Sequence, residues 1–405
     1  MADRAGRVNG AARLGLLLCT LVTPSLVPAR SLEQALASTF PGALREDGEG
    51  LATVFSRTVA ASFPITGTSA SYAYRFDPAT DSFQRSNIPL GPVFSERAET
   101  VGPRRLSLGV NYLLVQYDTI EGHDLNALVS NDPNTGADHI AICTGSPQDP
   151  QTVCEPVQAV TRLDLEAQIV TLSATYGVTP DLDINAFLPL VRTFLRAHTT
   201  FTGPDPRVPS DDDFFDFNLN TSASETSTGV GDLLLRVKYV LVRDAPFDLA
   251  GGLTLSLPTG DRADFQGTGD TLVGAALYAS RTYGERVQPH LNLSFVLDAD
   301  KFDRSQVRYS LGADLRVFDW LTLNNDFLGR SDIAQGDEIA RPVFVQLERA
   351  DVLQFSTGLK IAPPWRVAIR DRGLPWVWFF NALLPLNDDG VRADVILAFG
   401  LEAVF

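Results

Sequence analysis

The sequence predicts an all-β fold: a transmembrane antiparallel up-and-down β-barrel of twelve strands behind an N-terminal signal peptide. Three observations lead there. Segments with one continuous apolar face recur at 106–117, 162–172, 181–191, 231–241, 248–257, 271–280, 288–297, 307–317, 320–329, 352–361, 376–386 and 393–405. Most are nine to thirteen residues long, where globular strands run to roughly five or six; a tilted strand crossing a bilayer needs about the greater length. The connections alternate, with long ones at 118–161, 192–230, 258–270, 298–306 and 330–351 and short ones at 173–180, 242–247, 281–287 and 318–319. Long loops on one side and short turns on the other are the asymmetry of an outer-membrane barrel, and an even strand count returns both termini to one side. Two connections fit less well: 362–375 is long for its side and 387–392 is short.

Residues 1–29 read as a secretory signal. Arg4, Arg7 and Arg13 precede the apolar run Leu14 to Val22, and Val27-Pro28-Ala29 is a small-residue cleavage site. The uncharged stretch is too short to span a membrane and contains Pro24 and Pro28. Beyond it the longest apolar run, Leu374 to Asn387, is broken by Pro375 and Pro385, so no helix is expected to cross a bilayer. An exported chain of this kind is soluble, surface-attached or a barrel, whose strands hide the lipid face in every second residue. The chain carries 33 Lys plus Arg against 49 Asp plus Glu, a net charge of -16. The signal removes three Arg and one Asp, leaving -18. Such acidity argues against nucleic acid as a partner.

The region 30–105 precedes the barrel at 106–405. Within it, "SLEQAL" and "ATVFSRTVAASF" have the pattern of short amphipathic helices, and "SYAYRF" with "SFQRSNIPL" has that of a hairpin. If the hairpin joins the wall, the barrel has fourteen strands. Otherwise the segment sits in the periplasm or plugs the lumen. The connection 118–161 holds seven acidic residues and no Lys or Arg, suited to divalent cations shared with lipopolysaccharide or simply to a solvated loop. Cys143 and Cys154 lie in it, and in an oxidising compartment a pair at this spacing is expected to close as a disulfide.

Alternation then assigns faces. The lumen-facing set is Arg162, Asp164, Glu166, Asp181, Asp183, Asp232, Arg236, Lys238, His290, Asn292, Arg308, Asp314 and Arg316. A lining of both signs orients polar solutes in transit, although any wet barrel interior needs polar residues. Trp320, Trp365, Trp376 and Trp378 fall at or near short-turn ends, where an interfacial aromatic girdle belongs. His290, Asn292 and Ser294 share one face and raise the alternative of an outer-membrane phospholipase-like enzyme. Residues two apart on a strand stand roughly 7 Å apart, too far for a serine to bond a histidine. No catalytic set, cofactor or metal centre is therefore expected. The last strand, "RADVILAFGLEAVF", ends with Leu397, Phe399, Leu401, Ala403 and Phe405 on one greasy face.

The stretch "GVGDLLLRVKYVLVR", with "LAGGLTLSLPTGDRADFQGTGDTLVGAALYASRTYGERVQPHLNLSF", resembles the meta-pathway phenol-degradation transporter family of outer-membrane proteins. Supporting it are Gly231-Asp232, the turn Leu257-Pro258-Thr259-Gly260-Asp261, Gly267-Thr268-Gly269, "TYGVTPDLDINAFLPLV", "GPVFSERAETVG" and "LPLNDDGVR". The resemblance covers roughly residues 91–405 and implies a porin-like barrel, integral to the outer membrane, for passive uptake of small hydrophobic or aromatic molecules. Barrels of this class resemble one another in a C-terminal aromatic read by the barrel-assembly machinery, which makes Phe405 an assembly signal. The expected partners are outer-membrane lipid, lipopolysaccharide, that machinery and small solutes. The alternative is a structural or adhesive surface barrel acting through its acidic loops.

Overall fold

The structure, a computed structural model, describes residues 30–40, 45–62, 71–77, 82–86, 88–130, 140–144, 153–204, 216–243, 246–333, 351–363, 367–369 and 372–405. The signal segment 1–29 and Trp365 lie outside them. The wall is a closed antiparallel sheet of twelve strands. These are β1 (Leu106–Tyr117), β2 (Val153–Gly177), β3 (Leu182–Pro204), β4 (in two segments, Asp216–Val230 and Leu233–Val242), β5 (Asp248–Leu257) and β6 (Leu272–Ser280). They continue as β7 (Val287–Asp298), β8 (Gln306–Phe318), β9 (Leu321–Asp332), β10 (Asp351–Ile361), β11 (Trp376–Pro385) and β12 (Ile396–Val404). Each pairs with its sequence neighbour, and β12 closes on β1, with Ile396 opposite Val115 and Val404 opposite Ser107. Phe405 completes the seam by exchanging backbone hydrogen bonds with Leu106 of 2.8 and 3.2 Å.

Alternation works as expected over most of the wall. Leu253, Leu293, Leu311, Phe327, Phe380 and Leu397 project outward and are exposed, Leu253 by 65%. A soluble protein does not leave such a belt of apolar side chains in water; in hydrocarbon it is the stable arrangement, because a closed sheet leaves no backbone group unpaired. The barrel is therefore an integral outer-membrane protein. The hairpin Tyr74–Asp77 with Ser82–Arg85 pairs only with itself. The wall has twelve strands, and the fourteen-strand alternative is excluded.

Three strands run further than the sequence pattern indicates. β2 has 25 residues and β3 has 23, so much of what reads as the connections 118–161 and 192–230 is sheet. β4 begins at Asp216 and is interrupted at Gly231-Asp232. Val230 opposes Leu190 and Leu234 opposes Phe187, so β4 holds one residue more than β3 across the break. Gly231 is required there, since a Cβ would stand 2.7 Å from Pro189 Cγ.

The lumen is filled by the N-terminal region, in two parts. At the long-loop end sit α1 (Leu32–Ala37) and α2 (Arg45–Ser62). Ser31 caps α1 by accepting from Gln34 N at 3.2 Å. Leu32 and Leu36, then Leu51, Phe55 and Val59, recur at fourfold spacing and are fully buried. They meet Leu163, Leu165, Ala167, Val191, Leu195 and Phe201 of β2 and β3 in one core. Phe40 meets Phe201 edge to face at 5.9 Å. Each such side chain contributes about 1.5–3 kcal/mol by leaving water, which docks the helices on one wall. The chain then descends, and residues 88–102 cross the short-turn half of the lumen before β1 begins.

Candidate functional site

The crossing segment 88–102 is a plug built against the residues that face inward. Its backbone offers polar groups that no strand satisfies, and a buried polar group must be paired. The wall supplies the partners. Val101 N donates to Asp183 Oδ2 at 3.0 Å, Ala98 N to Ser280 Oγ at 3.0 Å and Glu96 N to Asn292 Oδ1 at 2.7 Å. Asn324 Nδ2 donates to Gly91 O at 2.8 Å, and Lys360 Nζ to Pro92 O at 2.8 Å. Lys238 Nζ donates to Glu99 O at 2.9 Å and to Arg97 O at 3.2 Å, with Glu96 Oε2 at 3.8 Å. Arg236 Nη1 reaches Glu96 Oε1 at 2.6 Å. The Glu99 carboxylate accepts from Gln288 at 2.8 Å and Ser280 at 3.0 Å. The carboxylates of Glu96 and Glu99 thus meet cations or donors on the wall, while Arg97 Nη1 donates to Pro89 O within the plug at 3.0 Å.

Beside it, His290 Nε2 lies 2.5 Å from Asp326 Oδ1, and its Nδ1 lies 3.7 Å from Asp314 Oδ2. Ser95 of the plug bonds Asp326 at 2.8 Å. Ser294 donates instead to Arg308 O at 3.3 Å. The serine and histidine of the phospholipase alternative have separate partners.

Above the plug, the outer half of the lumen keeps a cavity of about 260 Å³. Phe94 and Glu96 of the plug line it below, and Asn387, Asp389 and Arg392 line it from the connection between β11 and β12. Its walls mix apolar side chains, such as Leu272, Tyr278, Val296, Leu328 and Val352, with Arg236, Arg308 and Arg330. Pockets that hold small ligands have this composition, mostly apolar with a few placed polar groups.

Ten of the thirteen expected lumen residues separate into four groups. Arg236, Asn292 and Arg308 line the cavity. Asp183, Lys238, His290 and Asp314 face inward but are buried; the first two bind the plug and the other two belong to the polar cluster beside it. Asp181 and Arg316 stand at the short-turn rim, where Asp181 pairs with Arg243 at 2.8 Å and Arg316 with Glu285 at 3.5 Å. Asp232 is a tie to the loop after β5: its carboxylate accepts from Gly260 N at 3.0 Å and from Thr268 N and Oγ1 at 2.8 Å. The motifs around Gly231-Asp232, Thr259-Gly260 and Thr268 are thereby one assembled corner.

Arg162, Asp164 and Glu166 correct the sequence reading: they face outward. Their neighbours Leu163, Leu165 and Ala167 are the buried ones. Asp164 opposes Arg196, with an exposed ion pair of 3.4 Å. Above the lipid band the outside of the wall is wet and the inside is packed on helices, so the apolar face turns inward. Asp181, Arg316 and Asp232 do not line the cavity.

Several site residues escaped the sequence reading. Glu96, Arg97 and Glu99 stand in "FSERAETVG", where adjacent charges without apolar periodicity signal neither helix nor strand. Arg330, Asp326 and Lys360 lie on inward faces of β9 and β10, and alternation within those segments could have found them. Trp320 and Trp378 are exposed near short-turn ends, with Trp376 6.1 Å from Trp378 between ring centres. Cys143 stands opposite Cys154 in backbone register.

Among solved structures, the chain is similar to an outer membrane channel from Pseudomonas putida F1, with 15% identity, 76% of this chain and 98% of that chain covered, and a TM-score of 0.46. A FadL homologue from Pseudomonas aeruginosa shares 11% identity over 75% of this chain and 90% of its own, with a TM-score of 0.33. The toluene transporter TbuX from Ralstonia pickettii shares 12% over 75% and 90%, with a TM-score of 0.33. No curated protein matches the chain. The family described as "Putative MetA-pathway of phenol degradation" matches residues 144–374, more than half of the sequence. The chain belongs to that family.

Proposed function

We propose that this barrel is a passive channel for small apolar molecules, aromatic ones among them, and is not an enzyme. The observation that carries the reading is the amphipathic cavity in the outer half of a membrane-embedded barrel, closed below by hydrogen bonds rather than by the wall. A solute reaching the cavity exchanges water for the apolar faces of Leu272, Val296, Leu328 and Val352. Passage then needs the segment 88–102 to yield. Its hold on the wall is polar, so it can re-form once the solute has gone. The family's association with phenol degradation agrees with an aromatic cargo.

Uptake of radiolabelled benzyl alcohol by cells that express or lack the protein tests this. Faster entry on expression is expected. Equal rates overturn the reading and favour a barrel that acts as a surface protein through its outer loops, a role the sealed plug would also suit.

A further inference from the structure

On the outside of the wall, the seam formed by β12, β1, β2, β3 and β4 changes chemistry over three successive cross-strand rows. In the lowest row Phe399, Tyr112, Val170, Leu190 and Val230 are neighbours in register, and each is apolar or aromatic. Tyr112 and Phe399 stack there with ring centres 4.9 Å apart, as interfacial aromatics do at the edge of the lipid. The next row reads Leu397, Leu114, Gln168, Arg192 and Thr228. In the third, Gln116, Glu166, Phe194 and Thr226 stand together. Barrel strands tilt by about 35–45° from the barrel axis, so a row of neighbours climbs relative to the membrane plane. The middle row leaves hydrocarbon between Leu114 and Arg192, which puts Arg192 at the level of the outer-leaflet headgroups.

The Arg192 side chain is held for use at that level. Its guanidinium lies 4.5 Å over the ring of Phe194, one row further from the hydrocarbon, and it forms no ion pair among the described residues. A guanidinium stacked on a ring keeps its N–H donors for another ligand. The carboxylates on the same face are engaged: Glu166 accepts from Gln168 Nε2 at 2.7 Å, and Asp164 pairs with Arg196 at 3.4 Å. Arg196 adds a second cation on the same face, roughly 13 Å further along the strand from Arg192. The outer leaflet presents lipopolysaccharide phosphates at this depth, and the fork of a guanidinium matches two phosphate oxygens at once. We infer that Arg192, flanked in its row by the Gln168 amide and the Thr228 hydroxyl, is a docking point for a phosphate of an outer-leaflet lipopolysaccharide, with Arg196 facing the sugar part of the same glycolipid. This surface lies outside the wall and is independent of the cavity and of the channel reading.

Native mass spectrometry of the purified full-length barrel in detergent tests it, with a chelator present so that no divalent cation bridges lipid to carboxylate. The probes are lipopolysaccharide, the same glycolipid after removal of its phosphates, and phosphatidylglycerol. The unaltered protein is expected to retain lipopolysaccharide at least tenfold more tightly than either comparison lipid. Arg192→Gln should weaken lipopolysaccharide at least fivefold and Arg192→Lys should keep part of the affinity, while Arg243→Gln, at the opposite rim, leaves it unchanged. Heat-modifiable migration on gels confirms that each variant is folded, and added salt should weaken lipopolysaccharide in the unaltered protein without any mutation. Equal binding of the dephosphorylated glycolipid would mean that sugar or acyl chains are recognised and would overturn the inference. Equal binding of phosphatidylglycerol would show no preference for the outer-leaflet glycolipid and would overturn it too. Lipopolysaccharide binding that Arg192→Gln leaves intact would place the phosphate elsewhere and refute the role of Arg192.

Discussion

Replacing Lys238 by Met should open the barrel without unfolding it. The side chain is 1% exposed, and its ammonium serves three acceptors on the plug: Glu99 O at 2.9 Å, Arg97 O at 3.2 Å and the Glu96 carboxylate at 3.8 Å. A hydrogen bond to a charged group contributes about 1.5–3 kcal/mol, and breaking a buried pair by removing one partner costs about 3–5 kcal/mol. The three contacts share one nitrogen and do not add, so about 4 kcal/mol is a fair total. At about 1.4 kcal/mol per factor of ten, the balance between seated and released plug shifts by almost a thousandfold. Met keeps the length and apolar stem of the side chain, and the strand ladder of β4 is untouched. Planar-bilayer recordings should show a higher open probability and larger conductance in Lys238→Met than in the parent, while heat-modifiable migration stays the same. Proteolysis within 88–102 should also accelerate. Identical currents and identical protease resistance would refute the claim that Lys238 holds the plug.

Deleting Phe405 removes the seam bonds to Leu106 and an exposed terminal aromatic; the deletion should accumulate as degraded periplasmic protein, and normal amounts of heat-modifiable membrane protein would contradict that. Cys143 and Cys154, opposed in register, should appear as one linked peptide pair by mass spectrometry of exported protein, stabilising their hairpin by about 3 kcal/mol; two free thiols are the opposing result. Asp164→Asn breaks an ion pair whose side chains are 73% and 55% exposed, so stability should change by less than about 1 kcal/mol with conductance unaltered; a change in ion selectivity would return Asp164 to the lumen.

The wall was legible because lipid enforces a strict rule. Wherever hydrocarbon bathes the sheet, the outward residue of each pair must be apolar, and segments such as "PHLNLSFVL" carry that signal in every second position. Nothing comparable marks the extensions of β2, β3 and β4. Their Thr- and Ser-rich stretches, "HTTFTG" and "SASETSTG", suit a strand by propensity but alternate between polar and small, as a loop does. The plug was less legible still. Its conformation is dictated by partners up to 270 residues away in sequence, as Leu90 O is by Lys360, and no local period reports such a constraint.

The inversion of Arg162, Asp164 and Glu166 shows why alternation gives two faces but not which one is inside. In β7 the apolar face meets lipid, because Leu291, Leu293 and Phe295 are exposed while His290 and Asn292 are buried. In the upper part of β2 the same alternation is reversed. The deciding quantity is what each face touches: lipid outside and polar plug inside for β7, water outside and apolar helices inside for upper β2. Those helices are encoded at Leu32, Leu36, Leu51, Phe55 and Val59, about 100 residues before the strand they invert. A heavily charged outward face, with Arg192 and Arg196 from β3 beside Asp164 and Glu166 from β2, could not remain in hydrocarbon. A charge facing lipid costs about 2–4 kcal/mol at mid-bilayer, so the boundary of the membrane lies below these residues, near Val170 and Leu190, which are paired in register. The apolar plug therefore belongs to the part of the barrel that stands above the lipid, and the polar plug to the part within it. Each half of the lumen is filled by what its wall presents.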